Sequence, residues 1–171
     1  KIPVLAKNFA RVSCTIRHTA QRPAGAPQTL ELVSRTHQLD GLPADLPIQE
    51  LMRRLVEDQS RSDRIVAEAL ACWEAGRKLL LLSERTGHIT AIATALADQV
   101  PNLFLLHGRL SARQRSATLT ALEALPPDAP RIVVATGRLV GEGFDHPPLD
   151  TLLLAMPVSW KGTLQQYAGR L

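Results

Sequence analysis

The sequence predicts an α/β fold: a mainly parallel sheet covered by helices on both sides. Three observations carry that expectation. The apolar runs at Lys78 to Ser83, Arg131 to Ala135 and Thr151 to Ala155 have strand length and are continuous rather than alternating, as in strands buried on both faces. Helical stripes fall between them, the clearest being Ile89, Ile92, Ala93, Leu96, Ala97 and Val100. Strands alternating with helices imply right-handed crossovers and therefore a parallel sheet.

The elements follow in order. Residues 1 to 28 read as basic and largely irregular, with a short strand pattern where Val12, Cys14 and Ile16 alternate with Ser13, Thr15 and Arg17. Pro23, Gly25 and Pro27 mark a loop, Thr29 to Val33 a strand, and Gly41, Pro43 and Pro47 another loop. Ile48 to Glu57 is a helix. Ser62 is placed to cap a second, with Ile65, Val66, Ala69, Leu70 and Trp73 on its apolar face and Gly76 as its stop. The strand Lys78 to Ser83, the Ile89 helix and a strand over Asn102 to Leu106 come next. Ser111 caps a helix running to about Leu125, which Pro126, Pro127 and Pro130 end. Strands at Arg131 to Ala135 and Thr151 to Ala155 follow, with a helix-like segment from Thr163.

Composition narrows the function classes. With 171 residues there is room for one domain with its own core. No apolar run approaches the ~20 residues of a membrane span, so no membrane partner is expected. The two cysteines, Cys14 and Cys72, form no CxxC or Cys/His ligand spacing, which speaks against a structural zinc and fits a reducing cytoplasm. Aromatic content of 4% speaks against a base-stacking platform. The net charge of +4 and a pI near 9.6 point toward nucleic acid, but the placement of the charges changes that reading. Residues 1 to 30 hold Lys1, Lys7, Arg11, Arg17 and Arg22 and no acid, which leaves 15 bases and 16 acids for the rest. The body of the domain is close to neutral.

In parallel sheets, working loops sit at the carboxyl ends of the strands. After Leu82 come Ser83, Glu84, Arg85, Thr86, Gly87 and His88. An Arg and hydroxyls beside a helix start suit a phosphate; a solvated turn with a cap is the plain alternative. After Leu106 come His107, Gly108 and Arg109, where Gly108 admits close backbone approach and His107 by itself reads as a hydrogen-bonded strand-end histidine. After Ala135 come Thr136, Gly137, Arg138, Leu139, Val140, Gly141, Glu142, Gly143, Phe144 and Asp145. A dinucleotide fingerprint is rejected there, because His146 stands where the third glycine is needed and Pro147 and Pro148 open no helix. A Gly-rich turn beside phosphate and ribose remains, with Asp145 able to accept from a ribose hydroxyl. The chain closes on Gln165, Gln166, Tyr167, Ala168, Gly169, Arg170 and Leu171; an Arg there is either a phosphoryl finger or a surface residue.

Taken in order, these segments resemble the second RecA-like lobe of superfamily 2 helicases. LLLLSERTGHI (Leu79 to Ile89) looks like motif IV, LLHGRLSARQR (Leu105 to Arg115) like the HG motif that follows it, IVVATGRLVGEGFDHPPLDTLLLAMP (Ile132 to Pro157) like motif V and its next strand, and QQYAGRL (Gln165 to Leu171) like a shortened motif VI. The match runs from about Lys78 to Leu171 and more weakly back to Ile48. GEGFD, SWKGT and QYAGR most resemble DEAD/DEAH-box helicases related to type III restriction subunits. The resemblance implies a RecA-like three-layer α/β/α sandwich over 29–171, with 1–28 as a basic inter-lobe connection that includes IRHT (Ile16 to Thr19). It also implies that the chain is part of a longer protein.

Roles follow from the resemblance. Ser83, Arg85, His107, Gly108, Thr136, Gly137 and Arg138 are expected at a nucleic-acid backbone, with DNA favoured over RNA. Gly141, Glu142, Gly143, Asp145 and Gly169 are expected at the ATP site and in lobe coupling, Gly143 and Asp145 at the ribose. Gln166 and Arg170 are expected at the γ-phosphate as catalytic groups. The family's second motif VI arginine falls at position 173, past Leu171. There is no GxxxxGK[ST] phosphate loop and no acidic DExx box for Mg²⁺, and phosphoryl transfer needs both a cradle and a metal. ATP and Mg²⁺ are therefore expected mainly on a first RecA-like lobe, the partner of this one. The chain alone is expected to hydrolyse no ATP and to hold no metal. The alternative expectation is a non-catalytic nucleic-acid or protein binding module that keeps the lobe fold; a small-molecule transferase lacks an acid/base pair.

Overall fold

The computed structural model describes residues 11–19, 29–38, 42–43, 45–138 and 144–156. Among the described residues six strands form one sheet: β1 (Arg11–Thr19), β2 (Thr29–Gln38), β3 (Lys78–Leu82), β4 (Leu103–Leu106), β5 (Arg131–Ala135) and β6 (Thr151–Leu154). Their spatial order is β2-β1-β6-β3-β5-β4. From β6 to β4 every pairing is parallel, with Leu82 beside both Ala135 and Leu154. At the other edge β1 runs antiparallel to β6 and to β2. The largely irregular stretch expected before residue 28 thus contains a nine-residue strand of the sheet, and the strand expected over Thr29 to Val33 extends to Gln38. Alternation over Val12 to Ile16 was a sound strand signal. Its place beside β6 depends on a long-range pairing with no local mark.

Four helices complete the described structure: α1 (Ile48–Glu57), α2 (Gln59–Glu74), α3 (Thr86–Leu96) and α4 (Ala112–Glu123). The helix expected from Thr163 lies outside the described residues. No described helix is long and apolar enough to cross a membrane.

The uninterrupted apolar runs are explained by two cores, one on each face of the sheet. Leu80, Leu82, Val133, Ala135, Leu152 and Leu154 pack with Leu122 of α4. Their neighbours Leu79, Leu81, Ile132, Val134 and Leu153 pack with Ile65 and Ala69 of α2 and Ile89, Ile92 and Leu96 of α3. Successive side chains of a strand point to opposite faces, so only a strand covered on both sides needs every position apolar. The result is the three-layer α/β/α arrangement, with the antiparallel β1–β2 pair added at one edge.

Helix ends follow local chemistry, with one correction. Asp58, not Ser62, caps α2: it stands between α1 and α2, and its carboxylate accepts from Arg61 N–H at 2.9 Å. Ser62 is already inside the first turn, its N–H donating to Asp58 O at 3.1 Å. At the other end Gly76 N–H donates to Trp73 O and Arg77 N–H to Cys72 O, both at 2.9 Å. This is the paired closure that needs a left-handed residue, and Gly76 supplies it at φ +70°. An added Cβ there would meet nothing within 4 Å. Gly76→Ala should therefore cost only its backbone strain, about 1–2 kcal/mol, as a lowered urea midpoint at unchanged slope. Ser111 caps α4 as expected, through a reciprocal pair with Gln114.

Candidate nucleic-acid interface

Three loops leave β3, β5 and β4 side by side at the carboxyl edge of the sheet. Ser83 N–H donates to Ala135 O at 3.2 Å, and Thr136 N–H donates to Leu106 O at 3.2 Å. These bonds carry the sheet ladder one residue past each strand, so the loops start in register. The sheet thereby brings together residues that the sequence scatters over some fifty positions: Ser83 and Arg85, His107 to Arg109, and Thr136 to Arg138.

Their exposure differs. Arg85 is half-buried at the N-cap of α3, and its guanidinium donates to Gln49 Oε1 of α1 at 3.4 Å. Arg109 and Arg138 are exposed. His107 is half-buried, and its Nδ1 accepts from Arg109 N–H at 3.2 Å, which fixes the turn after β4. Gly108 is exposed with nothing within 4 Å of an added Cβ, so the space above it is open to a ligand. Thr136 and Gly137 are buried, and Gly137 and Arg138 have helical backbone. Ser83 is also buried, its hydroxyl 3.0 Å from Nδ1 of His88; it shapes the loop from within.

Charge is segregated at this edge. The three loops and the first turn of α4 carry Arg85, Arg109, Arg113, Arg115 and Arg138 among the described residues, against Glu84 alone. A near-neutral domain thus presents a basic edge, which composition could not show. Arginine forks match phosphate oxygens in geometry as well as charge.

Of the residues expected at ATP, Asp145 lies exposed in the segment before β6, where its carboxylate is free to accept from a hydroxyl. Gly141, Glu142, Gly143, Gln166, Gly169 and Arg170 lie outside the described residues. Among the described residues no three His, Cys, Asp or Glu side chains gather to hold a metal ion.

Several residues escaped the sequence reading. Arg61 is 2% exposed and donates to Leu55 O at 3.3 Å and Ala155 O at 2.5 Å. It thereby ties α1 and the exit of β6 to α2. Burial lowers its pKa, with the Asp58 charge opposing the shift. The signal was present: Arg61 stands in register with Ile65, Ala69 and Cys72 on the buried stripe of α2. His88, also 2% exposed, faces inward from the first turn of α3. Burial first, and the Arg61 charge second, push its pKa down to about 4, so it is neutral at physiological pH. His37 Nε2 at the end of β2 lies 2.8 Å from Asp58 Oδ2. Burial raises the Asp58 carboxyl, but the bonds from His37, Arg61 N–H and Ser60 outweigh it and hold the pKa at about 2. The edge hairpin is thereby fastened to the α1–α2 junction.

No protein-family profile matches the sequence, and no curated protein sequence is significantly similar to it. Solved structures are similar. That of T4 UvsW matches with a TM-score of 0.61 and 18% identity over 72% of this chain and 24% of UvsW. The C-terminal part of the Fun30 ATPase domain matches at 0.54 and 14% over 64% of this chain and 35% of that one. Domain 2 of the Mss116p DEAD-box helicase, bound to an RNA duplex, matches at 0.54 and 15% over 65% of this chain and 45% of that one. The fold these structures share with the chain is RecA-like, and the chain spans about a quarter of UvsW and under half of the other two.

Proposed function

We propose that this chain is the second motor lobe of an ATP-dependent nucleic-acid helicase or translocase, and that its basic edge grips the phosphate backbone. The observation that carries the reading is the register of three adjacent strand ends, which places Arg85, Arg109 and Arg138 on one edge. The similar solved folds support it: Mss116p domain 2 is bound to an RNA duplex and the Fun30 fragment is part of an ATPase domain. Contacts to backbone position a strand without reading its sequence, so binding should discriminate little between sequences; DNA is the favoured polymer. Asp145 would accept from the ATP ribose, with Gly141, Glu142, Gly143 and Gly169 in the same coupling segment. Gln166 and Arg170 would meet the γ-phosphate on closure against a first lobe. ATP supplies the closing free energy when bound; this lobe's part is to hold backbone phosphates and to present Arg170.

The first test is fluorescence anisotropy of the chain with labelled mixed-sequence DNA. Weak binding is expected that falls steeply between ~50 and ~200 mM salt. Replacing Arg85, Arg109 and Arg138 together by Ala should flatten that dependence. Salt-independent binding, or a triple variant indistinguishable from the parent, would sink the interface. In a protein carrying both lobes, Arg170→Ala should lower nucleic-acid-stimulated ATP turnover by about 10³-fold or more if it is a finger. The rival reading, a non-catalytic binding module, predicts the same DNA binding with no ATP turnover to lose.

A further inference from the structure

His88 poses a physical question. Its imidazole is 2% exposed, yet its Nε2 has no hydrogen-bond partner among the described residues, and neither does Nε of the nearby Arg61. An orphaned buried polar atom is costly, and native structures seldom keep one without a use. An apolar side chain of similar size would fill the same place, inward-facing beside Ile89, at no such cost.

The ring's other nitrogen supplies the use. Nδ1 lies 3.0 Å from Ser83 Oγ, and Ser83 Oγ lies 3.4 Å from Arg85 N. A hydroxyl has one proton to donate and lone pairs to accept with. Oγ accepts from Arg85 N–H, and with its remaining proton and lone pair it pairs with Nδ1 whichever ring nitrogen carries the proton, so the turn's hydroxyl is held from both sides while Nε2 stays orphaned. Ser83 is held on its other side by its backbone N–H to Ala135 O. The chain of contacts runs from a buried ring, through a buried hydroxyl, to the backbone of the residue whose guanidinium stands at the basic edge. That guanidinium is held by the long contact to Gln49, so the turn's backbone decides where it points.

We propose that His88 is a positioning residue for a phosphate contact by Arg85: acting through Ser83 Oγ, it sets the backbone of the β3–α3 turn from which Arg85 is presented. This deepens the nucleic-acid reading above and rests on it. His88 and Ser83 touch no phosphate themselves. Their work is pre-organisation, so that binding need not order the turn.

The test uses the same anisotropy titration across salt, with a single strand as probe. Arg85→Ala and His88→Leu should each weaken binding about fivefold and reduce the magnitude of the log–log salt slope by about 0.7, the loss of one phosphate contact on a single strand. A change in fold alone would not reproduce that slope. The double variant should bind no more weakly than Arg85→Ala, because both act on one contact. His88→Asn, whose amide can accept from or donate to Ser83 Oγ, should recover to within about twofold of the parent. Ser83→Ala removes the middle link without disturbing the ring's packing and should show the same loss as His88→Leu. That variant keeps the question answerable if His88→Leu fails to fold. Parental affinity and slope in Ser83→Ala or folded His88→Leu, while Arg85→Ala is impaired, would overturn the positioning role alone; so would additive losses in the double variant. An unimpaired Arg85→Ala would overturn the Arg85 contact and this role with it.

Discussion

Replacing Arg131 with Ala should destabilise the fold by about 4 kcal/mol, the range seen when a buried hydrogen-bonded charge is removed and its partners are left behind. Arg131 opens β5 and is fully buried. Its Nε and one terminal nitrogen donate to Ala129 O at 3.0 and 2.9 Å, and that terminal nitrogen also donates to Pro126 O. The other terminal nitrogen donates to Nε2 of His146 at 2.9 Å. One side chain thus binds the turn after α4 to the segment that carries Asp145. Burial lowers its pKa, with Asp128 and Asp150 opposing the shift; the guanidinium still keeps its charge, since arginine stays protonated in proteins. Urea unfolding monitored by circular dichroism reads the effect. Arg131→Met separates the causes: it keeps an apolar stem and should lose nearly as much, because the orphaned carbonyls and imidazole remain. A loss under about 1 kcal/mol in Arg131→Ala would show that these bonds add little beyond what water supplies.

The second large effect is with acid. His88 takes up a proton in the folded state only near pH 4, whereas an unfolded histidine does so near 6.5. Between those values the unfolded chain binds more protons, so stability falls as pH falls from about 6.5 to about 4 and is unaffected above that window. At 1.36 kcal/mol per unit, the displacement amounts to on the order of 3 kcal/mol. His146 adds in the same direction, its pKa lowered by burial first and the Arg131 charge second, with Asp145 opposing. Asp58, held at about 2 against a usual 3.8, titrates below this window and loses its contribution only as pH falls through 3.8 toward 2. Urea midpoints measured from pH 7.5 to 4.5 should therefore drop steadily below 6.5. His88→Leu should flatten much of that drop while lying near or above the parent at pH 5. An equally steep fall in His88→Leu would place the acid sensitivity elsewhere. The same variant is expected to bind single strands less well, so stability and binding should move in opposite directions.

Much of the fold was legible in the residues. β5 lies where the apolar run places it, and α3 carries the stripe of Ile89, Ile92, Ala93 and Leu96 on its buried face, because continuous burial and 3.6-residue periodicity are local patterns. The Ser111 cap was legible for the same reason: its partner Gln114 is three residues away. The α2 start was misplaced by local reading because two capping residues, Asp58 and Ser62, stand within one turn, and only the meeting of α1 and α2 selects Asp58. The strand-end loops were named from their residue types. Their adjacency was not legible, because it follows from the strand order β6-β3-β5-β4, a crossover pattern rather than a sequence pattern.

By itself, then, the sequence determined the α/β class, the positions of β3 to β6 and of the described helices to within about a turn, and the resemblance to a helicase lobe, all of which rest on periodicity, caps and motifs within short windows. Only the tertiary structure decided that a nearly neutral domain carries a basic edge, that β1 and β2 belong to the sheet, and that Arg61, His88 and Arg131 are buried. Burial and charge placement depend on which distant segments meet. A charged or titratable side chain reads as a surface residue until its neighbours across the sheet are known.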